Sequence, residues 1–321
     1  MRIATRFTSI VVLCVLIVLA VASPADAQSD APTCTGRPAA SGLLAGTLES
    51  GGLMREYQVY VPTGYDPTRA VPLVLSLHGF ASNMGQQRYF SGWDILGEAE
   101  NFIAVFPNGT GRPLRWNAGE FSASERAGAL MQAVIGAPSD DIQFLSDLLD
   151  SVETTYCIDS AHVYVTGLSN GGGMSNRVAC ELADRVTAIG TVGGAYPPLE
   201  TCAPPRAVPV ISFHGVLDPI VPFEGSEDMG LPGAETWASA WAARNDCASI
   251  ATTDDPDYAV VSVMRWSDCA DDADVILYEI ADGGHTWPGS ASFAEVMLGK
   301  TREDIPASAI MWTFFQRFSL P

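Results

Sequence analysis

The sequence is short of basic residues. Lys300 is the only lysine among 321 residues, so lysine-based nucleophilic or general-base chemistry is excluded everywhere except at that position. Lysine and arginine together number 17 against 37 acidic residues, a formal net charge of −20. A surface of that sign repels nucleic acid and anionic lipid, which excludes both as partners. Phosphate loops are missing as well: no Gly-Lys-Ser/Thr follows the glycine-rich stretch at 167–173, and no G-x-G-x-x-G fingerprint is present. The cysteines lack zinc-finger spacing. The aspartate clusters at 254–257 and 268–274 lack the glycine and terminal glutamate of a calcium loop, so they read as solvated acidic loops. No metal and no cofactor is expected.

Long apolar runs are also few. Arg2 and Arg6 precede an apolar run from Ile10 to Ala22, and Ala25-Asp26-Ala27 offers small residues for signal peptidase. Thirteen apolar residues fall short of the roughly 20 that span a bilayer as a helix. Residues 1–27 therefore read as a cleaved secretion signal and residues 28–321 as one exported domain with no membrane anchor, since neither a linker nor an internal repeat divides them. Beyond residue 27 lie Cys34, Cys157, Cys180, Cys202, Cys247 and Cys269. An even number in an exported chain points to disulfides, and six cysteines allow 15 complete pairings. Equal separations of 22 positions favour Cys180 with Cys202 and Cys247 with Cys269, which leaves Cys34 for Cys157.

What the chain does contain is a series of short, nearly continuous apolar runs: Val71–Leu77, Phe102–Phe106, His162–Thr166, Val186–Val192, Val208–Phe213 and Val275–Ile280. Such runs mark strands buried on both faces, as in a parallel sheet covered by helices. Arg55–Val61 alternates like a half-buried strand. Between them lie helical patterns. Ser139 is the expected N-cap for a helix carrying Ile142, Leu145, Leu149 and Val152, and Trp237, Ala240 and Trp241 form a second stripe, Ile310, Phe314 and Phe318 a third. The fold class is α/β: one domain, a mostly parallel central sheet with helices on both faces.

Ligands gather beyond the carboxyl ends of such strands, and there Gly167-Leu168-Ser169-Asn170-Gly171 matches G-x-S-x-G. In a nucleophile elbow the serine occupies a strained turn from strand to helix, and its neighbours two positions away must be small because the backbone crosses itself. Gly167 and Gly171 supply that space, while Gly172 and Gly173 point to close contact with an adjoining segment. The helix N-terminus favours developing negative charge, as acyl transfer requires.

Four histidines are available as base. On this fold the order is serine, acid, histidine, so His78 and His162 come too early, and His162 also opens its strand at the wrong end of the sheet. His214 lacks an acid in a strand-end setting between Ser169 and itself. His285, in Gly283-Gly284-His285-Thr286-Trp287-Pro288-Gly289, remains. The acid is Asp218, in the turn after Val208–Phe213, with Asp282 as runner-up. The oxyanion hole is assigned to the backbone N–H groups of Asn170 and Phe80, the latter in Leu77-His78-Gly79-Phe80. Trp116, Trp287 and His78 are candidate substrate contacts, His78 doubling as a loop organiser.

Taken together, Leu77-His78-Gly79-Phe80, Gly167-Leu168-Ser169-Asn170-Gly171-Gly172, His214-Gly215-Val216-Leu217-Asp218 and Gly284-His285-Thr286-Trp287-Pro288-Gly289 resemble the secreted polyhydroxybutyrate depolymerase and feruloyl esterase family of α/β-hydrolases, over residues 51–318. The resemblance implies a cofactor-free serine esterase with Ser169, Asp218 and His285 as triad. Its substrate would be a small or polymeric ester: a feruloyl or other acyl ester of polysaccharide, or a hydroxyalkanoate polyester. The chain departs from the pattern in two places. Glu120-Phe121-Ser122 follows the tryptophan loop where relatives carry paired cysteines, and Gly173 stands in place of a larger apolar residue. A serine peptidase of the same fold and a non-catalytic binding protein are the competing readings. The sequence leaves the oligomeric state open.

Overall fold

The structure, a computed structural model, describes residues 34–119, 139–291 and 294–321. The expected signal segment, and Glu120-Phe121-Ser122, lie outside the described residues. Twelve strands are found among the described residues: β1 (Gly42–Ser50), β2 (Leu53–Val61), β3 (Val71–Leu77), β4 (Ile103–Pro107), β5 (Ile158–Leu168), β6 (Ala188–Val192), β7 (Val210–Gly215), β8 (Gly225–Ser226), β9 (Leu231–Pro232), β10 (Ser249–Asp254), β11 (Val261–Ser267) and β12 (Val275–Ile280). Ten of them form one sheet in the order β1-β2-β4-β3-β5-β6-β7-β12-β11-β10, and β8 pairs with β9 alone. The six central strands from β4 to β12 run parallel. Antiparallel pairs, β1–β2 and β11–β10, extend the two sides.

The helices are α1 (Met84–Ser91), α2 (Trp93–Glu100), α3 (Asp141–Thr155), α4 (Asn170–Glu181), α5 (Ala234–Arg244), α6 (Glu295–Leu298) and α7 (Ala307–Phe315). β5 shows why the central runs are apolar throughout. Val163 and Val165 join a core with Phe144 and Leu148 of α3, Met174 and Val178 of α4, and Trp237 and Trp241 of α5. Tyr164 points into a second core with Trp93 of α2 and Met311 and Phe315 of α7, where it stacks on Phe315 with ring centroids 4.7 Å apart. From Val163 to Gly167 both faces of the strand are buried, so that stretch has no solvated side to alternate toward. The described residues belong to one compact unit, Pro32–Pro321. None of their helices is long and apolar enough to cross a membrane.

Several boundaries differ from the sequence reading. Asp140, not Ser139, caps α3: its carboxylate accepts the Gln143 N–H at 3.0 Å, while the Ser139 hydroxyl turns to Asp141 at 3.0 Å. The β7 ladder starts two residues after Val208, because Asn245 takes both the N–H and the carbonyl of Val208, at 3.1 and 2.7 Å. His162 lies inside β5, which begins at Ile158, and its ring meets Asp159 at 2.7 Å. Phe318 lies beyond the end of α7. Strands β1 and β10 escape the pattern-based reading because they are largely exposed and so carry no apolar alternation.

The three disulfides are Cys34–Cys157, Cys180–Cys202 and Cys247–Cys269. The first ties the start of the described chain to the segment entering β5. The third closes the end of the sheet, just outside the Ser249–Ser267 pair of β10 and β11.

Candidate active site

Ser169 is the single residue between β5 and α4, with φ 57° and ψ −120°. That conformation is costly for a residue with a side chain and is sustained by the packing around it. A Cβ on Gly167 would overlap the Gly171 carbonyl, and one on Gly171 would overlap the carbonyl of Leu77 at the end of β3. Gly172 lies against Gly194, where a Cβ would come 2.9 Å from its Cα, and Gly173 against the Ala195 carbonyl. The four glycines thus let β3, the turn and the 193–195 loop close around one hydroxyl. At Gly173 a larger residue has no room.

The histidine ring expected from the sequence meets the expected carboxylate: His285 Nδ1 and Asp218 Oδ2 are 2.6 Å apart, both side chains buried. Since a carboxylate accepts, Nδ1 donates, and Nε2 is left with its lone pair. The second Asp218 oxygen accepts the N–H groups of Ile220 and Val221, each at 2.8 Å, so the turn after β7 fixes the carboxylate. On the other side, the His285 N–H donates to the Leu298 carbonyl at 2.5 Å. Gly193 lies against this pair, in the 192–195 segment that also bonds the Ser169 backbone. The Ser169 N–H donates to the Val192 carbonyl at 2.9 Å, and a Cβ on Gly193 would stand 3.1 Å from His285 Nδ1 and 3.3 Å from Asp218 Oδ2. Among the described residues the Ser169 hydroxyl makes no hydrogen bond to the ring; such contacts commonly tighten only when substrate is bound.

The remaining histidines have other partners. His214 is buried beside the acid, 3.5 Å from Asp218 Oδ2, and its Nε2–H donates to the Val221 carbonyl at 2.9 Å. Burial holds its pKa below the usual imidazole value, outweighing that carbonyl and Asp218. Asp282, the runner-up acid, is engaged by Lys300 at 2.6 Å and Arg302 at 3.2 Å, and chiefly the Lys300 hydrogen bond lowers its pKa.

Phe80 and Asn170 approach the serine from either side. A Cβ on Gly79 would lie 3.3 Å from Ser169 Cβ, which puts the Phe80 peptide beside the turn. Its N–H has no acceptor among the described residues. Asn170 is the first residue of α4, so its N–H has no carbonyl one turn earlier to bond.

The three proposed substrate contacts do not face a cleft. Trp116 and Trp287 are each 2% exposed and His78 is fully buried. Each polar edge is already satisfied: Trp116 Nε1–H donates to the His78 carbonyl at 2.9 Å, Trp287 Nε1–H to Ser308 Oγ at 3.0 Å, and His78 Nε2 accepts the Gly109 N–H at 2.9 Å. These residues support the walls of the site, a correction that follows from the indole N–H seeking a partner when buried. A cavity of about 630 Å³ is bordered by Tyr196, Leu199, Leu231, Trp237 and Arg244, and none of Ser169, Asp218 or His285 lines it. Among the described residues no group of three or more His, Cys, Asp or Glu side chains is arranged to hold a metal ion.

A serine turn between a central parallel strand and a helix, with a paired aspartate and histidine on loops after later strands, defines an α/β-hydrolase. An acetyl xylan esterase from Aspergillus awamori has the same fold, with a TM-score of 0.56 at 15% identity, over 76% of this chain and 94% of that one. Residues 64–230 match the phospholipase/carboxylesterase family, and the chain belongs to it. Among individual relatives, feruloyl esterase B of Piromyces equi is 25% identical over 83% of this chain and 46% of its own length. Feruloyl esterase C of Emericella nidulans is 27% identical over 80% of this chain and 84% of its own. The chain thus spans about half of the first relative and most of the second.

Sequence reasoning missed Gly193, whose signal was the Gly193-Gly194 pair directly after a strand. It also missed the buried Arg55–Asp141 ion pair, 2.8 Å apart, which anchors the tryptophan segment through the Asn117 N–H at 2.7 Å from Asp141. Nothing local in the sequence distinguishes that aspartate from an exposed acid in a first helical turn.

Proposed function

We propose that the protein is an exported serine esterase that hydrolyses carboxylic esters through an acyl-enzyme. The substrate is a feruloyl or other acyl ester of polysaccharide, or a hydroxyalkanoate polyester or oligomer. The observation that carries the reading is the 2.6 Å His285–Asp218 contact, packed against Gly193 in the 192–195 segment whose Val192 and Ala195 bond the Ser169 backbone. In the first half-reaction Ser169 Oγ attacks the ester carbonyl carbon while His285 Nε2 takes its proton, and Asp218 stabilises the imidazolium. The carbonyl oxygen becomes an oxyanion that receives the N–H groups of Asn170 and Phe80. Collapse breaks the carbon–oxygen bond to the alcohol, which leaves with the His285 proton. Water then attacks the acyl-serine, giving its proton to His285, and the carbon–oxygen bond to Ser169 breaks as Ser169 Oγ takes that proton, releasing the acid. Names of the relatives support esters as the substrate class, and three disulfides support export.

The test is Ser169→Ala compared with the wild type on acetyl, butyryl, feruloyl and hydroxybutyrate-oligomer esters and on peptide anilides. Wild-type turnover of at least one ester, with loss on the order of 10⁶-fold in the variant and unchanged folding, is expected. Substantial turnover by the folded variant would remove Ser169 as nucleophile; preference for the anilides would make the protein a peptidase.

A further inference from the structure

We infer that the Asn170 side chain is a positioning group, clamped to Trp116 so that the Asn170 and Phe80 N–H groups keep one spacing around the oxyanion. The inference rests on the esterase reading and deepens it. Two hydrogen bonds join the Asn170 amide to the Trp116 backbone: the Trp116 N–H donates to Asn170 Oδ1 at 2.7 Å, and Asn170 Nδ2–H donates to the Trp116 carbonyl at 3.1 Å. The same tryptophan reaches the other donor. Its indole N–H donates to the His78 carbonyl at 2.9 Å, two residues before Phe80.

One residue therefore ties the peptide after the nucleophile to the loop across from it, and the tie is itself anchored. Trp116 stacks near Phe144, with ring centroids 6.4 Å apart, and the adjacent Asn117 N–H is held by Asp141. The chemistry selects asparagine. A short amide both donates and accepts, as pairing with one residue's N–H and C=O requires; aspartate supplies only the acceptor and leucine neither. Since Asn170 and Trp116 are buried, a lost partner is not replaced by bulk water.

The experiment uses Asn170→Ala and Trp116→Phe, the second keeping an aromatic side chain but removing the indole N–H. Steady-state kinetics on a nitrophenyl ester is combined with binding of a boronic acid that mimics the tetrahedral adduct, and thermal unfolding checks the fold. Displacing one donor by about 1 Å lowers kcat on the order of 10²-fold. We expect that loss in both variants, with KM within about twofold and boronate affinity falling alongside kcat. The double variant should be little worse than the poorer single, since both cut one tie. If Asn170→Ala does not fold, Trp116→Phe carries the test. Folded variants that keep kcat within about threefold, or lose activity with boronate affinity intact, overturn the clamp. Ser169→Ala, run in parallel, separates the two ideas. Inactive Ser169→Ala beside active clamp variants defeats the clamp alone; active Ser169→Ala defeats the esterase reading first.

Discussion

His78 makes the acid stability of this protein calculable. The ring is fully buried and uses Nε2 to accept the Gly109 N–H at 2.9 Å and Nδ1 to meet the Gly79 carbonyl at 2.7 Å. Burial pushes its pKa from 6.5 down to about 4, more than the Gly79 carbonyl raises it, and Arg55 adds to the lowering. In the unfolded chain the ring takes a proton as pH falls through 6.5; in the folded chain it does so only near 4. Between those values the unfolded state binds more protons, so stability falls as pH falls. The linkage relation gives a loss of roughly 2 kcal/mol at pH 5 and roughly 3 kcal/mol at pH 4, relative to pH 7, from this residue. Urea unfolding at pH 7, 5 and 4 measures it, with His78→Gln as reference because its amide oxygen offers the Gly109 N–H an acceptor that does not titrate. Carboxylates and the other histidines are common to both proteins and cancel in the difference. The wild type should lose about 3 kcal/mol more than the variant between pH 7 and 4. Parallel pH dependence would refute the buried, neutral imidazole.

Other perturbations act on features beneath the site. Arg55→Met strands the fully buried Asp141 carboxylate, which Arg55 meets at 2.8 Å, and should lower stability by about 3–5 kcal/mol in urea unfolding. Replacing Cys34 and Cys157 by serine opens a separation of 123 residues, worth about 5 kcal/mol in the chain-entropy description. Opening the 22-residue Cys247–Cys269 separation should cost about 3 kcal/mol; denaturant midpoints of the two double variants give the order. Gly171→Ala drives a methyl into the Leu77 backbone and should cut esterase turnover on the order of 10²-fold, because shifting the turn misplaces the serine. Turnover within about threefold of wild type would show that β3 and the turn can separate freely.

The central strands were legible because burial on two faces leaves a run such as Val71–Leu77 apolar at nearly every position, with only the buried Ser76 polar. Ser169 was legible because the crossing of β3, β5 and α4 admits no side chain at positions 167 and 171. Chain order and strand ends pointed to Asp218 and His285 as the candidate acid and base, and their side chains lie 2.6 Å apart. The tryptophans were misjudged for a physical reason: an aromatic in a loop reads alike whether its face is bare or its N–H is tied to a carbonyl, as at Trp116 and His78. Asp141 shows the same limit. Its sequence setting suits a solvated first-turn acid, yet a strand 86 positions away supplies its guanidinium. Pairings over that distance have no local signature.

The outermost strand, β10, is exposed at every position and offers one bare ladder to any passing chain. Such an edge invites intermolecular addition. Here the Cys247–Cys269 bond holds the ribbon shut beside its first pair, while Asp254 ends the strand with a charge. Reducing agents should therefore loosen this margin of the sheet, turning a closed hem into a sticky one, with self-association as the symptom of thiol exposure.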